Sequence, residues 1–188
     1  MENILIVDLE ATCWNDRPQS VEVMEIIEFG SAVVSLAGEV VIGHSQLVRP
    51  TSNPRLSQFC QELTTIDQAM IDNAPSYREA VALVDKALDR YEFSAWGSWG
   101  QYDYNQISIE KARHGVAPAF FDLPHTNLKT AWQRTIGVRK KAGLRGALGR
   151  LGLEFEGNQH RALDDVRNIA RILPHIDGLN YSFTQKSN

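Results

Sequence analysis

Apolar residues along this chain fall into two rhythms. Ile4-Leu5-Ile6-Val7 is an unbroken apolar run of strand length that ends on Asp8, and it predicts a buried first strand over Ile4–Asp8. Glu25–Val34 and Val40–Val48 predict a second and a third strand. The short Ala37-Gly38-Glu39 link predicts an antiparallel hairpin between them. Pro50 to Pro54 interrupts the pattern. Thr65-x-x-Gln68 reads as a capping box that opens a short helix. Ser76-x-x-Glu79 opens a longer one, in which Val81, Val84, Ala87, Leu88 and Tyr91 recur at helical spacing. Phe93–Trp96 predicts a fourth strand, followed by a loop that delivers Asp103 to a helix over Tyr104–His114. Further helices are expected over Asn127–Ile136 and Leu144–Leu151, a strand near Phe120–Phe121, and a last helix over Ala162–Ile176. A hairpin sheet followed by alternating helices and strands makes an α/β fold, a mixed sheet flanked by helices. No repeat or linker divides it, so we expect one domain over residues 1–179 and a loose polar tail over 180–188.

Phase within these elements selects candidate chemistry. Strand residues i and i+2 share a face, so Asp8 and Glu10 can converge on one ion. In the last helix, at ~100° per residue, Ala162, Asp165, Val166, Ile169, Ile172 and Leu173 share the core face. Asp164, Arg167, Asn168 and Arg171 fall on the water side. Asp165 is therefore the ligand candidate of the two adjacent acids, because an unpaired carboxylate pointing at the sheet is costly. Asp103 stands between, after Trp96-Gly97-Ser98-Trp99-Gly100. Four carboxylates in this order suggest a two-metal site for cutting phosphodiesters, and hard oxygen ligands select Mg²⁺ or Mn²⁺ over zinc. His160, five residues before Asp165, suits the general base. Singly, each has a blander reading: Asp8-x-Glu10 as a solvated pair, Asp103 as a helix N-cap, His160 as a surface histidine. The set and its order carry the site. His44, His114, His125 and His175 lack a carboxylate pattern and read as structural.

Composition adds constraints. With 188 residues, 43% hydrophobic and 22% charged, the chain has the profile of an ordinary soluble domain. No apolar run approaches the roughly 18 residues of a membrane span, and no leader sequence is expected. Cys13 and Cys60 are too few for a disulfide framework and read as free thiols in the cytoplasm. Net charge is −4, but Lys129 to Arg150 carries seven basic residues and no acid. Within it, Arg139, Lys140 and Lys141 are candidate contacts for a phosphate backbone, against a plain solvated surface.

Asp8-Leu9-Glu10-Ala11-Thr12, the later Asp103, and His160-x-Ala162-x-x-Asp165 resemble the three motifs of the DEDDh 3′–5′ exonucleases, which have an RNase H-like fold. Within that family the chain is similar to the histone-mRNA and RNA-interference-enhancing exonuclease subgroup and its compact bacterial relatives. Glu25-Ile26-Ile27-Glu28-Phe29-Gly30, Phe59-Cys60-x-x-Leu63-Thr64-x-Ile66, Ser98-Trp99-Gly100 and Asn127-Leu128-Lys129 support the likeness. The resemblance implies a five-stranded mixed sheet, two Mg²⁺ or Mn²⁺ ions, and release of 5′-mononucleotides from the 3′ end of single-stranded RNA or DNA, with RNA favoured. It implies Asp8, Glu10, Asp103 and Asp165 as ligands and His160 as base. Leu9 to Ala11 would meet the terminal sugar, with Phe59 and Trp99 near its base. Two rivals stand beside this reading: an RNase H-type endonuclease and a non-catalytic nucleic-acid-binding module. Products from a 5′-labelled substrate separate the first, and loss of any of the five residues would favour the second. Oligomeric state is left open.

Overall fold

The computed structural model describes residues 3–16, 20–138 and 142–179. Strands β1 (Asn3–Ala11), β2 (Ile26–Ser35) and β3 (Val40–Leu47) form an antiparallel meander. The β2–β3 turn is the expected hairpin, with Gly38 at φ 85° supplying the left-handed residue. β4 (Trp96–Ser98) and β5 (His125–Asn127) run parallel to β1, giving a five-stranded mixed sheet in the order β3-β2-β1-β4-β5.

Helices cover both faces, and β1 sorts its side chains between them. Leu5, Val7 and Leu9 pack with Phe29 and Val33 against α3 (Tyr77–Leu88) and Ile107 of α4 (Tyr102–His114). Ile4 and Ile6 pack with Ala32 and Val34 against α5 (Leu128–Thr135), α6 (Leu144–Arg150) and α7 (Ala162–Ala170). Asp8 and Glu10 continue the even-numbered register, so strand alternation carries them to the α7 face. Among the described residues no helix is long and apolar enough to cross a membrane.

The structure corrects several boundaries. β1 does not stop at Asp8. Pairing with β2 continues through Glu10↔Glu28, with a bulge before Ala11, so both carboxylates sit within the strand. The fourth strand lies at Trp96–Ser98, because only that stretch pairs with Leu5 and Ile6, and Phe93 packs beside the core instead. Phe120–Phe121 belongs to a 3₁₀ turn, Ala119–Asp122, whose first N–H donates to Asp85 at 2.8 Å. Phe120 is there to meet Trp96 edge-on at 5.2 Å, an aromatic contact that imitates a strand signal. Thr65 opens no helix. It is the left-handed C-cap, φ 57°, of α1 (Gln58–Thr64), while Asp67 caps α2 (Gln68–Asp72). The last helix ends at Ala170, and a separate 3₁₀ turn follows at Leu173–His175. Pro174 accounts for the break, since its ring lacks an N–H for the carbonyl of Ala170. The expected tail, 180–188, and Arg139, Lys140 and Lys141 lie outside the described residues.

Candidate active site

The carboxylates meet at the ends of three elements. One oxygen each from Asp8, Glu10 and Asp165 lies within 4.8 Å of the others, an arrangement fit to hold a cation. Asp103, in the first turn of α4, is buried beside Asp8, and its Oδ1 accepts the Leu9 N–H at 3.1 Å. This bond explains why the acid is here: α4 begins where β4 ends, and β4 lies next to β1. The imidazole Nδ1 of His160 stands 4.0 Å from Glu10 Oε1.

α7 brings the other two residues through a seat that the sequence reading missed. Gly30 of β2 faces the start of α7. A Cβ there would overlap the Ala162 carbonyl carbon and lie 2.5 Å from the Leu163 nitrogen. Beside it the fully buried Glu28 accepts the Ala162 N–H at 3.1 Å, Arg161 Nε at 3.3 Å and the Ser45 hydroxyl at 2.6 Å. Glu28 thus holds the first turn of α7 with a charge-assisted set of bonds. An acid in the middle of the Ile26–Phe29 apolar run was the available signal. His160 adopts φ 65°, unusual for a non-glycine residue. That backbone directs its N–H to Asp165 Oδ2 at 2.8 Å, fixing the Asp165 carboxylate.

Two residues expected on the water side of α7 are structural. Asn168 is fully buried and clamps Glu156, accepting its N–H at 3.0 Å and donating to its carbonyl at 2.7 Å. Asp164 is half-buried and accepts the Asn158 N–H at 2.9 Å, so it shapes the loop that carries His160. Of the other histidines, His114 does have an acid, Glu110 at 3.1 Å, and it stacks on Tyr77 away from the cleft. His125 lies 2.9 Å from Ser98 Oγ and is pushed down to about 4 by burial, so it stays neutral.

Crowding these acids together raises their proton affinity. Burial, then the charges of Asp103, Glu10, Asp165 and Glu28, hold Asp8 well above the ordinary carboxylate range. Glu10 is pushed up to about 9 by burial and by Asp165, Glu28 and Asp103. Asp165 rises to about 7 and Asp103 to about 6, in each case chiefly through burial. A divalent cation is the natural complement of such a cluster, because it favours every ionised carboxylate at once. Burial, and then Arg145, lowers His160, which is therefore neutral near pH 7 and able to accept a proton.

The raised Glu10 makes a stability prediction. Its folded value of about 9 lies above its ordinary 4.5, so the folded state keeps a proton that the unfolded state releases. Stability of the metal-free protein is then full below the unfolded value and falls as pH climbs toward the folded one. Thermal unfolding in chelator should show Tm dropping between about pH 5 and about pH 9, with Glu10→Gln flattening the drop and added Mg²⁺ reversing it. A Tm slope in Glu10→Gln as steep as in the parent protein would contradict this assignment.

A cleft of about 380 Å³ opens over the carboxylates. Leu9, Ala11, Trp99 and His160 line it, and so do Met24, Leu63, Tyr102 and Gln159, to which no sequence pattern assigned a role. Phe59 is not in the wall. It sits half-buried on α1, one turn before Leu63 and on the same helix face. Trp14, three residues after β1, also stays outside the wall.

Sheet order and acidic cluster together define the class: DEDDh exonucleases of RNase H-like fold. The exonuclease family model matches residues 5–173, and the chain belongs to that family. ERI1 exoribonuclease 3 of Homo sapiens is 33% identical over 193 residues, covering 97% of this chain and 56% of that protein. The 3′–5′ exonuclease Snipper of Drosophila melanogaster is 28% identical, covering 97% and 72%. The crystal structure of the nuclease domain of 3′hExo, a DEDDh family member bound to rAMP, superposes with a TM-score of 0.82 at 30% identity, covering 91% of this chain and 89% of that one. The chain thus spans a little over half the length of the human exoribonuclease it matches.

Proposed function

We propose that this protein is a metal-dependent 3′–5′ exonuclease that removes 5′-mononucleotides from single-stranded nucleic acid, RNA in preference to DNA. The observation that carries the reading is the convergence of Asp8, Glu10 and Asp165 oxygens within 4.8 Å, with neutral His160 alongside. Two Mg²⁺ or Mn²⁺ ions held by Asp8, Glu10, Asp103 and Asp165 would supply Lewis-acid polarisation of the phosphate, a more acidic water and a counter-charge for the leaving 3′ oxygen.

The chain's own groups do the rest. His160 takes the proton of the attacking water, and Glu10 Oε1 at 4.0 Å offers a counter-charge to the ring once it is charged. Leu9 and Ala11 lie against the terminal sugar, and Trp99, Leu63 and Met24 offer apolar surface to its base. Phe59, next on the Leu63 face, extends that surface at the rim. Arg145 comes from the basic stretch and stacks over Phe155 at 5.1 Å. It stands close enough to depress His160 and offers a cation to the strand behind the scissile phosphate. Preference for RNA is supported by the exoribonuclease relatives and by the rAMP-bound neighbour. Two free thiols fit a reducing, cytoplasmic setting.

The test is digestion of matched 5′-labelled RNA and DNA single strands with Mg²⁺, Mn²⁺ or chelator. A ladder shortening from the 3′ end, faster on RNA and absent in chelator, is the expected result. Internal cuts would make the protein an endonuclease, and metal-independent cutting would remove the carboxylate site from the mechanism.

A further inference from the structure

Two thiols stand in contact at the edge of the cleft. Cys13 follows β1 by two residues, is half-buried, and lines the cleft with Asp8 and Glu10. Cys60 lies behind it in α1, fully buried among Leu56, Ile66 and Ile71. Cys13 packs against the cluster that holds Cys60, and Cys60 S–H donates to the Ala11 carbonyl at 3.7 Å. The Cys13 thiol beside it lowers Cys60, while that neighbour and burial push Cys13 up. The backbones are tied as well. Ser57 Oγ donates to the Cys13 carbonyl at 2.6 Å and accepts the Cys60 N–H at 3.0 Å. Neither sulfur has a role in the hydrolysis proposed above.

We propose that Cys13 and Cys60 are an oxidation site at which a hydroperoxide makes a disulfide across the cleft wall. Cys60, whose sulfur the Cys13 S–H holds below the usual thiol range, attacks one oxygen of a hydrogen peroxide that enters past Cys13 from the cleft. The O–O bond breaks, giving a sulfenic acid and one water. Cys13 sulfur then attacks the sulfenic sulfur of Cys60, the S–O bond breaks, and the second water leaves. The two sulfurs supply the two electrons that reduce the peroxide, and both thiol protons end in water. The product has consequences for the site. A disulfide needs S–S of about 2.05 Å, far shorter than a thiol–thiol contact, and it removes the S–H that held the Ala11 carbonyl. Ala11 sits beyond the bulge directly after Glu10, so drawing β1 toward α1 displaces a ligand carboxylate. The effect on activity rests on the exonuclease reading, whereas the bond itself does not.

The full chain, freed of reductant, is treated with hydrogen peroxide and read in two ways. Intact mass with a thiol-alkylating reagent should show loss of 2 Da and no alkylation. Hydrolysis should fall roughly tenfold to a hundredfold, the scale of a ligand misplaced by about 1 Å, and dithiothreitol should restore it. In Cys60→Ala and Cys60→Ser, each compared with its own untreated rate, no 2 Da loss occurs and peroxide changes activity little. Two alkylatable thiols remaining in peroxide-treated parent protein, a disulfide without loss of activity, or an equal loss in the Cys60 variants would each overturn the proposal. If the reduced parent shows no metal-dependent hydrolysis, the exonuclease reading fails, and the mass measurement still decides whether the pair forms the bond.

Discussion

Alanine at any one of Asp8, Glu10, Asp103 or Asp165 is expected to abolish hydrolysis while leaving the metal-free protein folded and more heat-stable than the parent. The two effects share one origin. Each carboxylate is held above its ordinary proton affinity chiefly by burial, and Asp8 and Glu10 also by the charges of their neighbours, so each variant removes a costly buried acid and those at Asp103 and Asp165 relieve Asp8 and Glu10 as well. On the proposed function those same groups would bind and align the cations, so alignment should be lost with any of them. The checks are turnover on a 5′-labelled single strand in saturating Mg²⁺ and a melting curve in chelator. Substantial activity in one variant would take that residue out of the site. Asp103→Ala is the most demanding case, because its loss also frees the Leu9 N–H.

His160→Ala should lower turnover by ~10²–10⁴-fold, the usual contribution of a positioned base, with KM changed far less. The acid limb of the pH profile belongs partly to the same residue. Burial and Arg145 hold His160 below its ordinary 6.5, so the parent enzyme should still be active on the acidic side of neutrality. His160→Ala should lose the histidine part of that limb and keep any dependence due to the carboxylates. Unchanged turnover at neutral pH would end the role. His160→Asn is an informative companion, because asparagine tolerates the left-handed backbone that keeps the N–H on Asp165. Loss of activity in both variants, with metal affinity preserved in His160→Asn, separates proton transfer from ligand positioning.

The parts of this site visible in the sequence are those governed by local periodicity. Two-residue alternation put Asp8 and Glu10 on one side, and the 3.6-residue repeat chose Asp165 over Asp164. Relations that depend on register between distant segments were not visible. Glu28 matters because it stands opposite Glu10 and beneath Ala162, facts fixed by strand pairing and helix docking. Met24, Leu63, Tyr102 and Gln159 reach the cleft from four separate segments, and their convergence depends on how those segments pack. Asn168 was misread because helical phase alone cannot tell which loop covers a flank of the helix. The 58–64 helix was too short for its periodicity to stand out, and Thr65 offered a capping pattern that left-handed backbone had already claimed for another purpose.

The seat under α7 is made entirely of protein groups: Glu28, Ser45 and Arg161 for polarity, and the bare surface of Gly30 for shape. It holds two of the five proposed site residues through bonds that involve no ion. On the proposed function, metal uptake is expected to be a docking event onto a finished scaffold, unlike small zinc modules whose chains collapse around the ion. Amide hydrogen exchange reads this directly. The Ala162 amide, bonded to Glu28, should stay protected when the cations are stripped, exchanging only when the sheet itself opens.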